Sequence, residues 1–186
     1  MSASLPADRL ITGDELLEMG DIGPCELIDG KIVAMSPTGG EHGSLEIELG
    51  AELRNFVKPR RLGWVVVGET GVYTRRKPDR VRGVDVAFLS RQRSPKRPGK
   101  KFLDVAPELV VEVMSPDDRW VEVRQKLEEY FAIGVERVWI VEPENRAVLV
   151  YASVTDMQRL GEGDVLRGEG LLDGFAVPVA DLFAED

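Results

Sequence analysis

Apolar and polar positions follow two rhythms along the chain, and the change between them is sharpest over residues 107–143. Leu109, Val110, Val111 and Val113 form a short β-branched run, as expected of a strand buried on both faces. Ser115 and Pro116 stop it, and Asp117 or Asp118 can cap a following helix. Trp120, Val123, Leu127, Tyr130 and Phe131 share one face of that helix, and Gly134 ends it. Residues 137–141 form a second apolar strand, closed by Pro143. A strand–helix–strand unit of this length predicts a right-handed parallel crossover. Glu112 interrupts the first strand near its carboxyl end, where open α/β sheets usually place ligands. A carboxylate there must be paired, protonated or bound to a cation, because burying it bare costs too much. Lys126 falls at the edge of the apolar helical face, from which it can lean back toward Glu112.

Earlier in the chain, Thr12 and Glu15 have the spacing of a capping box and open a short helix. Residues 26–28 and 31–35 flank Asp29-Gly30, which predicts a hairpin with a two-residue type I′ turn. Residues 41–57 read as a helix striped by Leu45, Leu49, Leu53 and Phe56 and ended by Pro59. Residues 64–68 and 70–74 are extended runs, with Gly68 and Gly71 as bends. Residues 84–89 form a strand carrying Asp85, and residues 90–102 a mobile loop. Beyond the crossover, residues 147–151 pair back on 137–141. Residues 156–160 and 164–167 read as a further β-pair, and residues 171–183 as a surface tail anchored by Phe175, Val177, Val179 and Phe183.

Length and composition fit a single domain over residues 1–186, with a substantial core. No apolar run is long enough to span a membrane, and the first ten residues lack the basic and apolar regions of a secretion signal. The lone Cys25 cannot form an internal disulfide and fits a reducing cytoplasm as a buried, inert thiol. The net charge of −9 is unevenly spread: residues 75–101 carry +9 and the remainder −18. That basic segment reads either as a polyanion-binding face or as a solubilising loop.

Asp85 and Glu112 on candidate strands, with Lys126 nearby, suit phosphodiester hydrolysis. Carboxylates can hold Mg²⁺, and a lysine can position water and offset developing charge. Nucleophile elbows and phosphate-binding glycine loops are absent, and one Cys with one His disfavours zinc.

The stretches CELIDGKIVAMSPTGGEHGSL, GETGVY, GVDVAFLS, APELVVEVMSPDDR, KLEEYFAIGVERVWIVEPENRAVLVY and LLDGFAVPVADLF cover most of the chain. In that order they resemble the restriction-endonuclease family expanded in cyanobacteria, the Uma-two family of the PD-(D/E)XK nuclease superfamily. The resemblance implies a restriction-endonuclease-like α/β fold: a mixed central sheet flanked by helices, with an N-terminal hairpin and C-terminal β additions. It implies that Asp85 and Glu112, with the Val113 carbonyl, hold Mg²⁺, or Mn²⁺ as an alternative, and that Lys126 serves the water. Met114 stands where the parent superfamily carries its strand lysine, and Val84 replaces the proline usual before the first acid. His42, Glu46 and Glu69 are accessory candidates beside the readings of a helix-start residue and solvated faces. Arg91, Arg93, Lys96 and Arg97 are candidate DNA contacts. The expected activity is a Mg²⁺-dependent DNA endonuclease, and a homodimer is one arrangement that would cut both strands. The alternatives are an inactive nuclease-fold module that binds nucleic acid or protein, and a structural protein whose Glu112–Lys126 pair is a buried ion pair.

Overall fold

The computed structural model describes residues 9–184, so the first eight residues of the segment read above for a secretion signal lie outside the described residues. The chain begins with helix α1 (Gly13–Glu18), strands β1 (Cys25–Ile28) and β2 (Lys31–Ala34), helix α2 (Gly40–Arg60), and strands β3 (Gly63–Arg75) and β4 (Arg80–Ser90). Strand β5 (Leu109–Val113), helix α3 (Trp120–Ile133) and strand β6 (Arg137–Glu142) form the crossover unit. Strands β7 (Ala147–Tyr151), β8 (Met157–Leu160) and β9 (Val165–Arg167), a 3-10 turn (Gly170–Leu172), strand β10 (Ala176–Pro178) and helix α4 (Val179–Leu182) complete it.

An eight-stranded sheet runs β2-β1-β4-β5-β6-β7-β8, with β3 paired along β4. β5 and β6 are parallel, as the crossover predicts, while the other pairs in this sheet are antiparallel. Period-two alternation splits β5 between two cores. Leu109, Val111 and Val113 pack with Leu45, Leu49, Leu53 and Val57 of α2 and with the C-terminal elements. Val110 packs on the other side with Val123, Leu127 and Tyr130 of α3. The expected mixed sheet flanked by helices is therefore present, with the hairpin at one end and the C-terminal strands at the other.

Several local readings hold because their causes are local. The Thr12 hydroxyl accepts from the Glu15 N–H while the Glu15 carboxylate accepts from the Thr12 N–H, closing the capping box. Asp29 and Gly30 both take positive φ, as a type I′ turn requires. Gly134 ends α3 in the left-handed conformation.

Other readings are corrected. α2 runs through Pro59 to Arg60, because a proline in the last turn removes only one intrahelical bond before the chain leaves at Arg61. α3 starts after Arg119 with no side-chain cap; Asp118 instead accepts from the Ser115 N–H. Trp120 is exposed at the first position of α3, one turn ahead of Val123, where the helix first meets the sheet. Residues 63–75 are one strand, broken in register only where Gly68 and Glu69 form a bulge. Gly71 stays in register, its missing side chain leaving room for the Phe102 ring. β8 and β9 do not pair with each other: β8 extends the main sheet beside β7, and β9 pairs with β10. The tail is anchored by Phe175, Val177, Val179 and Phe183 as expected, but these fill the α2-side core. Cys25 is half-buried as the first residue of β1.

Candidate active site

A cleft of about 550 Å³ opens at the carboxyl end of β5, between the loop following β2 and the loop leading into α3. Glu26, His42, Glu69, Arg82, Asp85, Glu112, Lys126 and Tyr130 supply its charged and hydrogen-bonding walls. It brings together the three residues singled out from the sequence, along with His42 and Glu69.

The alternation of β5 turns Glu112 toward α3. There Lys126 Nζ donates to Glu112 Oε2 at 2.7 Å, and the Tyr130 hydroxyl donates to Oε1 at 2.6 Å. Lys126 and Tyr130 are one helical turn apart, so they reach the same carboxylate from one face of α3. Burial, with Asp85 adding to it, pushes the Glu112 carboxyl up to about 7 against the opposing pull of Lys126 and Tyr130. Burial works to lower the Lys126 pKa, but Glu112, Glu26 and Asp85 outweigh it and raise it above its ordinary value. The amino group thus stays charged at neutral pH.

Asp85 faces the other wall. Its Oδ2 accepts from the Val113 N–H at 2.7 Å and lies 3.3 Å from His42 Nε2. His42 and Glu46 are also one helical turn apart, on the first half of α2, so both side chains face Asp85. One donor atom each from His42, Glu46 and Asp85 fall within 4.8 Å of one another, a spacing that can hold a metal ion. Glu112, with both oxygens engaged, stands beside this group rather than in it. The hydrogen bond to Asp85 raises the His42 pKa against the effect of burial. His42 Nδ1 is enclosed without a hydrogen-bond partner, a cost of about 1–3 kcal/mol for a buried polar group.

Glu69 enters from the β3 bulge, where Gly68 and Glu69 both have positive φ. The Gly68 N–H donates to the Glu46 carboxylate, tying the bulge to α2. Although the residue stands out on the bulge, its carboxyl turns in over Gly83. A Cβ on Gly83 would lie 2.4 Å from Glu69 Oε2, so only glycine leaves room for it there. Burial and then Asp85 raise the Glu69 carboxyl to about 7. Burial, with Asp85 contributing, raises Glu46 as well. Three acids held above their ordinary range around Asp85 describe a cleft with more negative charge than the protein itself balances. A bound dication would relieve it, and oxygen-rich donors with one imidazole fit such an ion.

The basic segment is corrected in two ways. Arg80 and Arg82 are buried in β4: Arg82 bridges Glu26 and Glu129 with 2.7 Å contacts to each, and Arg80 pairs with Glu129 and Asp29. Only Arg82 among these cations reaches the cleft. The loop after β4 lies at the opposite end of the sheet, not around the cleft mouth. Arg93 donates to the carbonyls of Ala106, Pro107 and Gly134 at the entrances to β5 and β6, and Arg91 donates to the Arg61 carbonyl beside the Trp64 ring. Lys96 and Arg97 are exposed there, with no ion pair to another described residue.

Sequence reasoning missed Tyr130 as a polar partner of Glu112, because it was counted with the apolar stripe. Its position four residues after Lys126 was the available signal. It also missed Glu26 and Arg82, whose pairing joins β1 to β4 and has no signature along the chain.

A family model described as Uma2, putative restriction endonuclease, matches residues 14–180. A crystal structure described as a putative nuclease belonging to DUF820, from Anabaena variabilis ATCC 29413, is similar with a TM-score of 0.79 at 21% identity. That likeness covers 93% of this chain and 97% of the other, and at such identity it bears on the fold. No curated protein matches the chain. Among the described residues, no helix is long and apolar enough to cross a membrane.

Proposed function

The chain belongs to the Uma2 putative restriction endonuclease family, and on that premise we propose that it is a Mg²⁺-dependent endonuclease hydrolysing phosphodiester bonds of DNA. The observation that carries this reading is the convergence of Asp85, Glu112 and Lys126 in one cleft with an excess of carboxylates. Asp85 and Glu112, with the Val113 carbonyl, would hold the cation, Mn²⁺ serving as an alternative to Mg²⁺. The cation would supply Lewis-acid polarisation of the phosphate and a more acidic bound water. Lys126 would keep its proton on Nζ, orient the attacking water and offset charge developing on the phosphate. Tyr130 would fix the Glu112 carboxylate, and the loops after β2 and before α3 would flank the substrate. Lys96 and Arg97, at the far end of the sheet, would meet only a substrate long enough to pass both ends. A homodimer would bring two clefts to two strands.

A plasmid-nicking assay tests the reading. Cleavage with Mg²⁺ that chelation stops, and that Asp85→Asn abolishes in a folded protein, supports it. Cleavage unchanged in Asp85→Asn removes the site from the reaction.

One observation favours a second reading. Both Glu112 oxygens already have partners within the protein. That closure suits a nuclease-fold module that binds nucleic acid or protein without cutting. DNA binding without cleavage under any dication would select it.

A further inference from the structure

The donor set that is open in the cleft is not the pair of strand carboxylates alone. Glu112 is held at both oxygens, whereas His42, Glu46 and Asp85 present donor atoms that converge within 4.8 Å. His42 Nε2 and Asp85 Oδ2, 3.3 Å apart, have the separation of two neighbouring ligands on one ion. The imidazole is more than nine-tenths buried, and its Nδ1 finds no partner in the protein. Nothing in the protein itself therefore accounts for burying this ring among acids.

We infer that His42, Glu46 and Asp85 form a second cation site, sharing Asp85 with the ion of the proposed nuclease reaction and selecting a first-row transition dication over Mg²⁺. This rests on the reading that the cleft is a cation-dependent site. Two carboxylates alone would suit Mg²⁺, but an imidazole nitrogen adds little for so hard an ion. The same nitrogen strengthens binding of Mn²⁺ and the later transition dications. Glu46 is steered by the Gly68 N–H of the bulge, and Asp85 by the Val113 N–H. Both carboxylates are thus oriented by backbone donors, as ligands usually are. Glu69, turned in over Gly83, stands close enough to feel Asp85 and His42 and is placed to hold a bound water of that ion.

His42 is the only histidine in the chain, so isotope labelling reports on it without a mutation. The full chain, grown with ¹⁴N- or ¹⁵N-histidine, would be loaded with less than one equivalent of Mn²⁺ and examined by electron spin echo modulation. The expected result is a directly coordinated nitrogen whose frequencies change with the label. His42→Gln, checked for folding by circular dichroism, should lose that signal and weaken Mn²⁺ binding by roughly 10–100-fold or more, with a smaller loss toward Mg²⁺. Bound Mn²⁺ without label-sensitive coupling overturns the inference, and so does an absence of Mn²⁺ binding. Mg²⁺-dependent DNA cleavage without the coupling overturns the second site and leaves the nuclease reading standing. Coupling without cleavage under any cation does the reverse.

Discussion

Lys126 on α3 donates to Glu112 on β5 across 2.7 Å, and this pair closes one wall of the cleft. Its meaning differs between a catalytic site and a structural ion pair. Under the nuclease reading, Lys126→Met should lower the cleavage rate by about 10²–10³ while the methylene stem still covers the apolar edge. Glu112→Gln should instead weaken Mg²⁺ binding. A structural pair predicts that Lys126→Met destabilises the fold by about 3–5 kcal/mol. Thermal melts and calorimetric Mg²⁺ titrations beside the nicking assay separate the two.

Stability should fall as pH rises through the window set by Glu112. Its carboxyl titrates near 4.5 when unfolded and near 7 in the fold. The folded state therefore binds the extra proton between those values, and the associated stability is present below about 4.5 and lost by about 7. The shift corresponds to about 3 kcal/mol at most. Urea melts of the parent and Glu112→Gln across pH 4.5–7.5 check it. The difference in stability between the two should change in that window and shrink when Mg²⁺ is added. A pH-independent difference would exclude a raised Glu112.

Tyr130→Phe removes one hydrogen bond to Glu112 without changing the ring packing. The expected cost is about 1–3 kcal/mol, together with slower cleavage at saturating Mg²⁺. Cleavage unaffected in a destabilised protein would confine Tyr130 to the core.

Two glycines in the sheet should respond differently to alanine. A Cβ on Gly63 would lie 1.9 Å from the Leu89 carbonyl oxygen, so β3 must move away from β4. Gly63→Ala should cost about 1–3 kcal/mol. On Gly83 the obstacle is the mobile end of the Glu69 side chain. Gly83→Ala should melt near the parent temperature while displacing Glu69, read as weaker Mn²⁺ binding. Equal melting temperatures for the two variants would contradict these contacts.

At the far end of the sheet, Arg93→Ala should destabilise the protein, because it strips donors from three carbonyls and frees Glu108 and Glu136. Lys96→Glu and Arg97→Glu should change stability by no more than about 0.5 kcal/mol. Their effect on the salt dependence of DNA binding measures whether substrate passes this end.

The crossover unit, the capping box at Thr12, the Asp29-Gly30 turn and the glycine end of α3 were legible in the sequence. Each depends on residues within a few positions of one another, and periodicity, caps and turn conformations are local properties. The pairing of Lys126 with Glu112 was legible for the same reason, since a helix following a strand returns over it at a fixed rise. What lies beyond that range was decided only in three dimensions. Arg80 and Arg82 read as part of a basic surface because their partners Glu26, Asp29 and Glu129 come from distant segments. β8 and β9 read as a hairpin because strand spacing does not say which edge a strand joins. The meeting of His42 and Glu46 with Asp85 depends on α2 packing against the sheet and on a bulge that carries Gly68 to Glu46. A sequence lists its donors one by one, but which of them share a cation-sized space is set by the packing of helix on sheet.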